Sequence, residues 1–212
     1  PFQRLNGLPA MRIAIEHTTR YAYGAEAAYS IQSLRLSPPN FDGQQVMDWR
    51  IDGPGQLIET RDGFGNRLHL LTVETAHAGV DIVARGIVEV ENRAGVVTGL
   101  EETVPLRVFL RRTPLTAPDT AIADLADAAD GSVAWLHGLM GRVRDRVRYE
   151  TGVTDAGTTA AQALSAGHGV CQDHAHIFIA AARHAGIPAR YVGGYLCLDG
   201  NSLETHERLG VD

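Results

Sequence analysis

The chain has 212 residues, of which 44% are hydrophobic and 21% charged, with 23 glycines and 9 prolines. This composition is typical of a globular protein of one or two domains, and it excludes collagenous, disordered and small disulfide-rich proteins. A net charge of −6 without a basic stripe argues against nucleic acid as a partner, and the lack of a long apolar run argues against a membrane span.

The first half has the pattern of strands separated by turns. Strands are predicted over residues 12–22, 46–51, 68–75 and 82–91. The segments 52–55 and 62–66 supply residues that accept positive φ, as hairpin turns require. We therefore expect a β-rich domain over residues 11–112, built as a sandwich or as an open antiparallel sheet.

The second half changes to helical spacing after a predicted linker at residues 113–119, where two prolines restrict the backbone. Helices are expected over residues 120–129, 133–149 and 159–165, with Thr158 or Thr159 as the N-cap of the third. A fourth helix over 172–185 is predicted to end at Gly186, and a strand over 189–198 to follow it. Residues 120–212 thus form a second domain, and the fold class is α+β.

Cys171 follows a glycine-rich turn and precedes the fourth helix, where Asp173 is expected to cap the first turn. Unpaired backbone amides and the helix dipole favour a thiolate at such a position, which makes Cys171 a candidate nucleophile. The alternative is a buried structural cysteine. The other cysteine, Cys197, lies in a different context, so we expect a single reactive thiol, although a disulfide stays open.

The segment Gly169-Val170-Cys171-Gln172-Asp173-His174-Ala175-His176, its alanine-rich helix and residues 186–195 resemble the nucleophile helix and following strand of bacterial transglutaminase-like proteins. Residues 15–23 and the turn at 61–66 are similar to the β-rich N-terminal region of that family. The resemblance implies a papain-like core whose nucleophile helix packs on an antiparallel sheet. It also implies a cysteine enzyme acting on amide bonds of peptides or proteins through a thioester, which is passed to water or to an amine.

The family's catalytic triad is completed by a histidine and an aspartate, which the resemblance carries over to His206 and Asp212. His206 follows a loop at about the family's distance, but no aromatic strand separates it from Asp212. A non-catalytic binding or scaffold module that keeps the fold is therefore the alternative. The sequence does not distinguish a protease, an amidase and a transglutaminase, and it does not indicate the oligomeric state.

The histidines around the cysteine also suggest a metal site, because His168, Cys171, His174 and His176 have the side chains that bind zinc. A helix starting at Cys171 turns His176 away from the others, which disfavours this alternative. No calcium-loop pattern is present either. We therefore predict an enzyme without a metal or other cofactor, and a location in the cytoplasm, because the segment before Met11 lacks a signal peptide's apolar core.

Overall fold

The structure is a computed structural model that describes residues 10–195. The chain divides into two compact units, of which the described parts are residues 10–104 with 194–195 and residues 105–193. Strands fill the first unit and helices dominate the second, so the predicted α+β class is confirmed. The boundary at 113–119 stays a prediction. No helix of residues 10–195 is long and apolar enough to cross a membrane.

The described part of the first unit contains two three-stranded antiparallel sheets. One has the order β1, β6, β3 and the other β2, β5, β4. Their strands are β1 (Met11–Ala27), β2 (Ser30–Leu34), β3 (Gln44–Asp52), β4 (Gln56–Arg61), β5 (Arg67–Val73) and β6 (His77–Val90). Alternation along β6 buries Val80, Ile82 and Ala84, which share one core with Leu71 and Val73 of the other sheet. This is the sandwich-like arrangement that the sequence predicts.

The turn at 62–66 is a hairpin turn, as predicted. Asp62 and Asn66 close it backbone to backbone, and the Asp62 carboxylate accepts hydrogen bonds from the N–H groups of Phe64 and Asn66. The Arg35 guanidinium, and next the Asn66 side chain, hold the pKa of Asp62 well below its ordinary value.

The prediction for 52–55 is wrong, because this segment links β3 of one sheet to β4 of the other instead of closing a hairpin. Its glycines do not have positive φ. Gly55 is needed for a different reason, since a Cβ there would meet the carbonyl of Thr72. The glycine marks a close approach of two backbones.

Gly86 offers a stability test of the first unit. It lies in the central strand β6 opposite Ile15 and Trp49, where a Cβ would meet the Asp48 carbonyl and the Trp49 ring. We expect Gly86→Ala to lower the free energy of unfolding by about 2 kcal/mol through overpacking. Gly63→Ala is the matched control, since nothing lies within 4 Å of its added methyl group.

Denaturant unfolding followed by Trp49 fluorescence measures both variants. The chain has two tryptophans, and replacing Trp135 of the second unit by phenylalanine leaves Trp49 as the only reporter. Equal midpoints for Gly86→Ala and Gly63→Ala would contradict the crowding described above.

The second unit is built around its last helix. Its elements are α1 (Thr120–Leu125), α2 (Val133–Arg146), β7 (Arg148–Tyr149), α3 (Ala160–Ala166), β8 (His168–Gly169) and α4 (Cys171–His184). The side chains of Asp119, Ser132 and Thr159 cap α1, α2 and α3. α4 packs against all three helices, and Ile177, Ala180 and Ala181 are completely buried in this contact.

α4 ends at His184, and Gly186 follows as the terminating glycine that the sequence predicts. Gly186 has φ +78°, its N–H donates to Arg183, and the N–H of Ile187 donates to Ala182. The predicted strand over 189–198 is not formed by residues 189–195, and 196–198 lie outside the described residues. The Ala189 carbonyl does not pair with a neighbouring strand and instead accepts a 2.9 Å hydrogen bond from the Arg183 guanidinium.

Candidate active site

Cys171 is the first residue of α4, and it is exposed. Its position follows from the preceding strand β8, which pairs in parallel with β7. The carbonyls of Gly167 and Gly169 accept from the N–H groups of Arg148 and Glu150, both at 2.9 Å. The pairing fixes the chain immediately before the cysteine, so the thiol is presented at the N-terminus of the helix.

The first turn of α4 is held by Asp173, as the sequence predicts. Its Oδ2 accepts a 2.7 Å hydrogen bond from the backbone N–H of Val170. Val170 is the N-cap residue of the helix. The hydroxyl of Thr154 donates to the same oxygen at 2.7 Å. The N–H of Cys171 has no acceptor within the helix, as is general for the first residues of helices, so it can donate to an anionic oxygen.

The ring of His174 lies between the backbone carbonyls of two elements. Its Nδ1 lies 2.9 Å from the carbonyl oxygen of Val170, and its Nε2 lies 2.9 Å from that of Val147 at the end of α2. Both ring nitrogens are thus occupied by backbone groups. Within residues 10–195 no three histidine, cysteine or acidic side chains are grouped so that they could hold a metal ion.

His176 is buried, with 8% of its surface exposed, and its Nδ1 has no partner among the described residues. Burial lowers its pKa, while the nearby charge of Asp173 and a hydrogen bond to the Thr158 backbone act in the opposite direction. A buried histidine with a lowered pKa is neutral at pH 7. His176 is therefore a packing residue of this unit.

Tyr191 is a neighbour that the sequence did not single out. Its ring lies 5.7 Å from that of His176, centroid to centroid. Burial raises the pKa of its phenol, and the charges of Cys171 and Asp173 add to the effect. Tyr191 therefore belongs to the surroundings of the cysteine. The sequence places it near the start of a predicted strand, and that placement gives no sign of proximity to Cys171.

The other two members of the predicted triad, His206 and Asp212, lie outside the described residues, as does Cys197. Of the predicted triad, the described structure therefore contains Cys171.

An open depression of about 480 Å³ lies beside the start of α4. Its lining includes Thr154, Asp155 and His168, together with Gln162, Ala163 and Ala166 of α3. Gln172 connects it to α4, because its side-chain amide donates to the Asp155 carbonyl at 3.3 Å. Cys171 itself does not line this depression.

Comparisons with known proteins find similarity in both halves of the chain. Residues 13–89 match the bacterial transglutaminase-like N-terminal region, and residues 123–209 match the transglutaminase-like superfamily. An uncharacterized protein of Mycobacterium leprae is 28% identical, over 87% of this chain and 71% of the relative. Uncharacterized proteins of Mycobacterium bovis and Mycobacterium tuberculosis are also 28% identical, over 89% of this chain and 67% of theirs.

The fold also matches a crystal structure of a "putative cysteine protease" from Cytophaga hutchinsonii. The TM-score is 0.66 at 17% sequence identity, over 85% of this chain and 66% of that one. At this identity the match concerns the fold, which is the papain-like fold that the resemblance implies.

Proposed function

We propose that this chain, which belongs to the transglutaminase-like superfamily, is a cysteine enzyme that breaks amide bonds of peptides or proteins through a thioester on Cys171. The observation that carries the proposal is the exposed thiol at the first residue of α4. The same helix start offers the N–H of Cys171 to an oxyanion, so nucleophile and oxyanion donor come from one residue.

In the proposed reaction, Sγ attacks the amide carbonyl and forms a tetrahedral intermediate. The carbon–nitrogen bond then breaks, and the amine leaves with a proton from an imidazolium, which we assign to His206. Asp212 would orient that imidazole. The superfamily match supports the first assignment, because it extends over 123–209 and includes both Cys171 and His206, whereas Asp212 lies beyond it.

The thioester can be passed to water or to an amine. Cys171 is exposed in the described part of the chain, so water has access to it, and we favour hydrolysis. A peptide or protein is the expected substrate. Turnover in the presence and absence of a primary amine separates the two reactions, since transfer gives an amide product and hydrolysis gives a carboxylate.

The test of the proposal is the iodoacetamide reactivity of the two cysteines, read by mass spectrometry from the same sample across a pH series. We expect Cys171 to be labelled much faster than Cys197 at neutral pH, because the thiolate is the reactive form of a cysteine. Denaturant should abolish the difference. Indistinguishable profiles in the folded protein would mean that the chain keeps the fold as a binding or scaffold module without the chemistry.

A further inference from the structure

Asp173 is the only acidic side chain that is buried among the described residues, with 0% of its surface exposed. Aspartates are almost never fully buried unless they are paired. Among the described residues no arginine forms an ion pair with Asp173. Burying a carboxylate without an ion-pair partner costs stability, so we expect Asp173 to have a functional role that offsets this cost.

The two carboxylate oxygens of Asp173 have different surroundings. Oδ2 accepts two hydrogen bonds, from the Val170 N–H and from the Thr154 hydroxyl, each at 2.7 Å. Oδ1 is buried and has no partner among the described residues. The carboxylate reaches this place because residue 169 is glycine, since a Cβ there would lie 2.6 Å from Oδ2.

Asp173 lies on a different side of α4 from the thiol. Two residues along an α-helix correspond to a rotation of roughly 200°, so an exposed Cys171 and a buried Asp173 point in nearly opposite directions. The Asp173 side chain therefore does not contact the reacting atoms at the thiol. Its connection to the cysteine is the backbone of Val170, whose conformation sets the direction of the Cys171 N–H and side chain.

We infer that Asp173 is a positioning residue for the nucleophile, which acts by accepting the Val170 N–H and is itself held in place by the Thr154 hydroxyl. This inference rests on the proposed function of Cys171. Positioning of this kind acts on the transition state, where the thiolate and the oxyanion donor must both be aligned, and much less on substrate binding.

The main test compares Asp173→Ala with Asp173→Asn in the whole protein. We expect Asp173→Ala to lower kcat by about 10- to 100-fold, with KM nearly unchanged, as misplacement of reacting groups generally does. Asp173→Asn should recover most of kcat, because an amide oxygen can accept the same two hydrogen bonds. Active-site titration corrects kcat for any unfolded fraction, so a loss of stability alone does not reproduce this pattern.

Thr154 provides a second, milder pair of variants that keeps the carboxylate. Thr154→Ser retains the hydroxyl, and Thr154→Val replaces it with a methyl group of similar shape. We expect a several-fold lower kcat for Thr154→Val and near-normal kcat for Thr154→Ser. This pair carries the test if Asp173→Ala does not fold.

Three results would overturn the inference. Asp173→Asn could be as impaired as Asp173→Ala, which would make the charge the important property. The loss could fall on KM instead of kcat. Thr154→Ser and Thr154→Val could behave alike.

Iodoacetamide labelling of Cys171 needs no substrate, and it tests the role of Asp173 separately from the proposed function of Cys171. We expect slower labelling at neutral pH in Asp173→Ala than in the unmodified protein. Selective labelling of Cys171 that Asp173→Ala leaves unchanged would count against Asp173 alone. Equal labelling of Cys171 and Cys197 in the unmodified protein would instead remove the proposed function.

Discussion

Cys171→Ala is expected to lower kcat/KM for amide substrates by at least about 10³-fold, since loss of a covalent nucleophile removes the thioester route and leaves only binding and oxyanion stabilisation. The protein should otherwise be unaffected. The side chain is exposed at the first residue of α4, outside the core of that unit, so its truncation leaves no cavity. Activity assays and thermal unfolding of the same preparation measure the loss of kcat/KM and the unchanged stability.

Cys197→Ala is the matched control, because it removes the chain's other thiol. It should keep the activity of the unmodified protein, and Cys171→Ala should lose both activity and the rapidly labelled thiol. Full turnover in Cys171→Ala, or an equal loss in both variants, would sink the assignment of the nucleophile.

The sequence predicted the start of α4 well, because several local signals agree there. A glycine-rich turn, a carboxylate in the first turn and a terminal glycine mark both ends of one helix, and the structure has it at Cys171–His184. The turn at 62–66 is a similar case, since the side chain of Asp62 closes its own turn. Helix ends and turns of this kind depend on residues that are neighbours in the sequence, so the sequence alone predicts them.

Features that depend on partners distant in the sequence could not be predicted from the sequence alone. The strands β2 and β4 were missed, because each is a short strand at the edge of its sheet and Ile31 and Ile58 remain exposed. Residues 189–195 have strand-like composition but no partner strand in the described part of the chain. The burial of Asp173 was missed for the same reason, since Thr154 lies far from it in sequence.

His206→Ala is expected to lower kcat/KM by about 10²- to 10⁴-fold, the usual contribution of a general acid–base group. Two described histidines near the cysteine, His174 and His176, are poor substitutes for it. His174 has both ring nitrogens against backbone carbonyls, and His176 is buried with a pKa lowered by burial. Neither ring is free to give a proton to a leaving amine.

His184→Ala is the matched control, because His184 is exposed at the opposite end of α4 from Cys171. It should be fully active, whereas added imidazole should partly restore His206→Ala by supplying the missing proton carrier. An active His206→Ala would move the role to another histidine. An inactive His206→Ala with unchanged labelling of Cys171 would mean that His206 protonates the leaving amine without activating the thiol, since only the first of these steps requires a substrate.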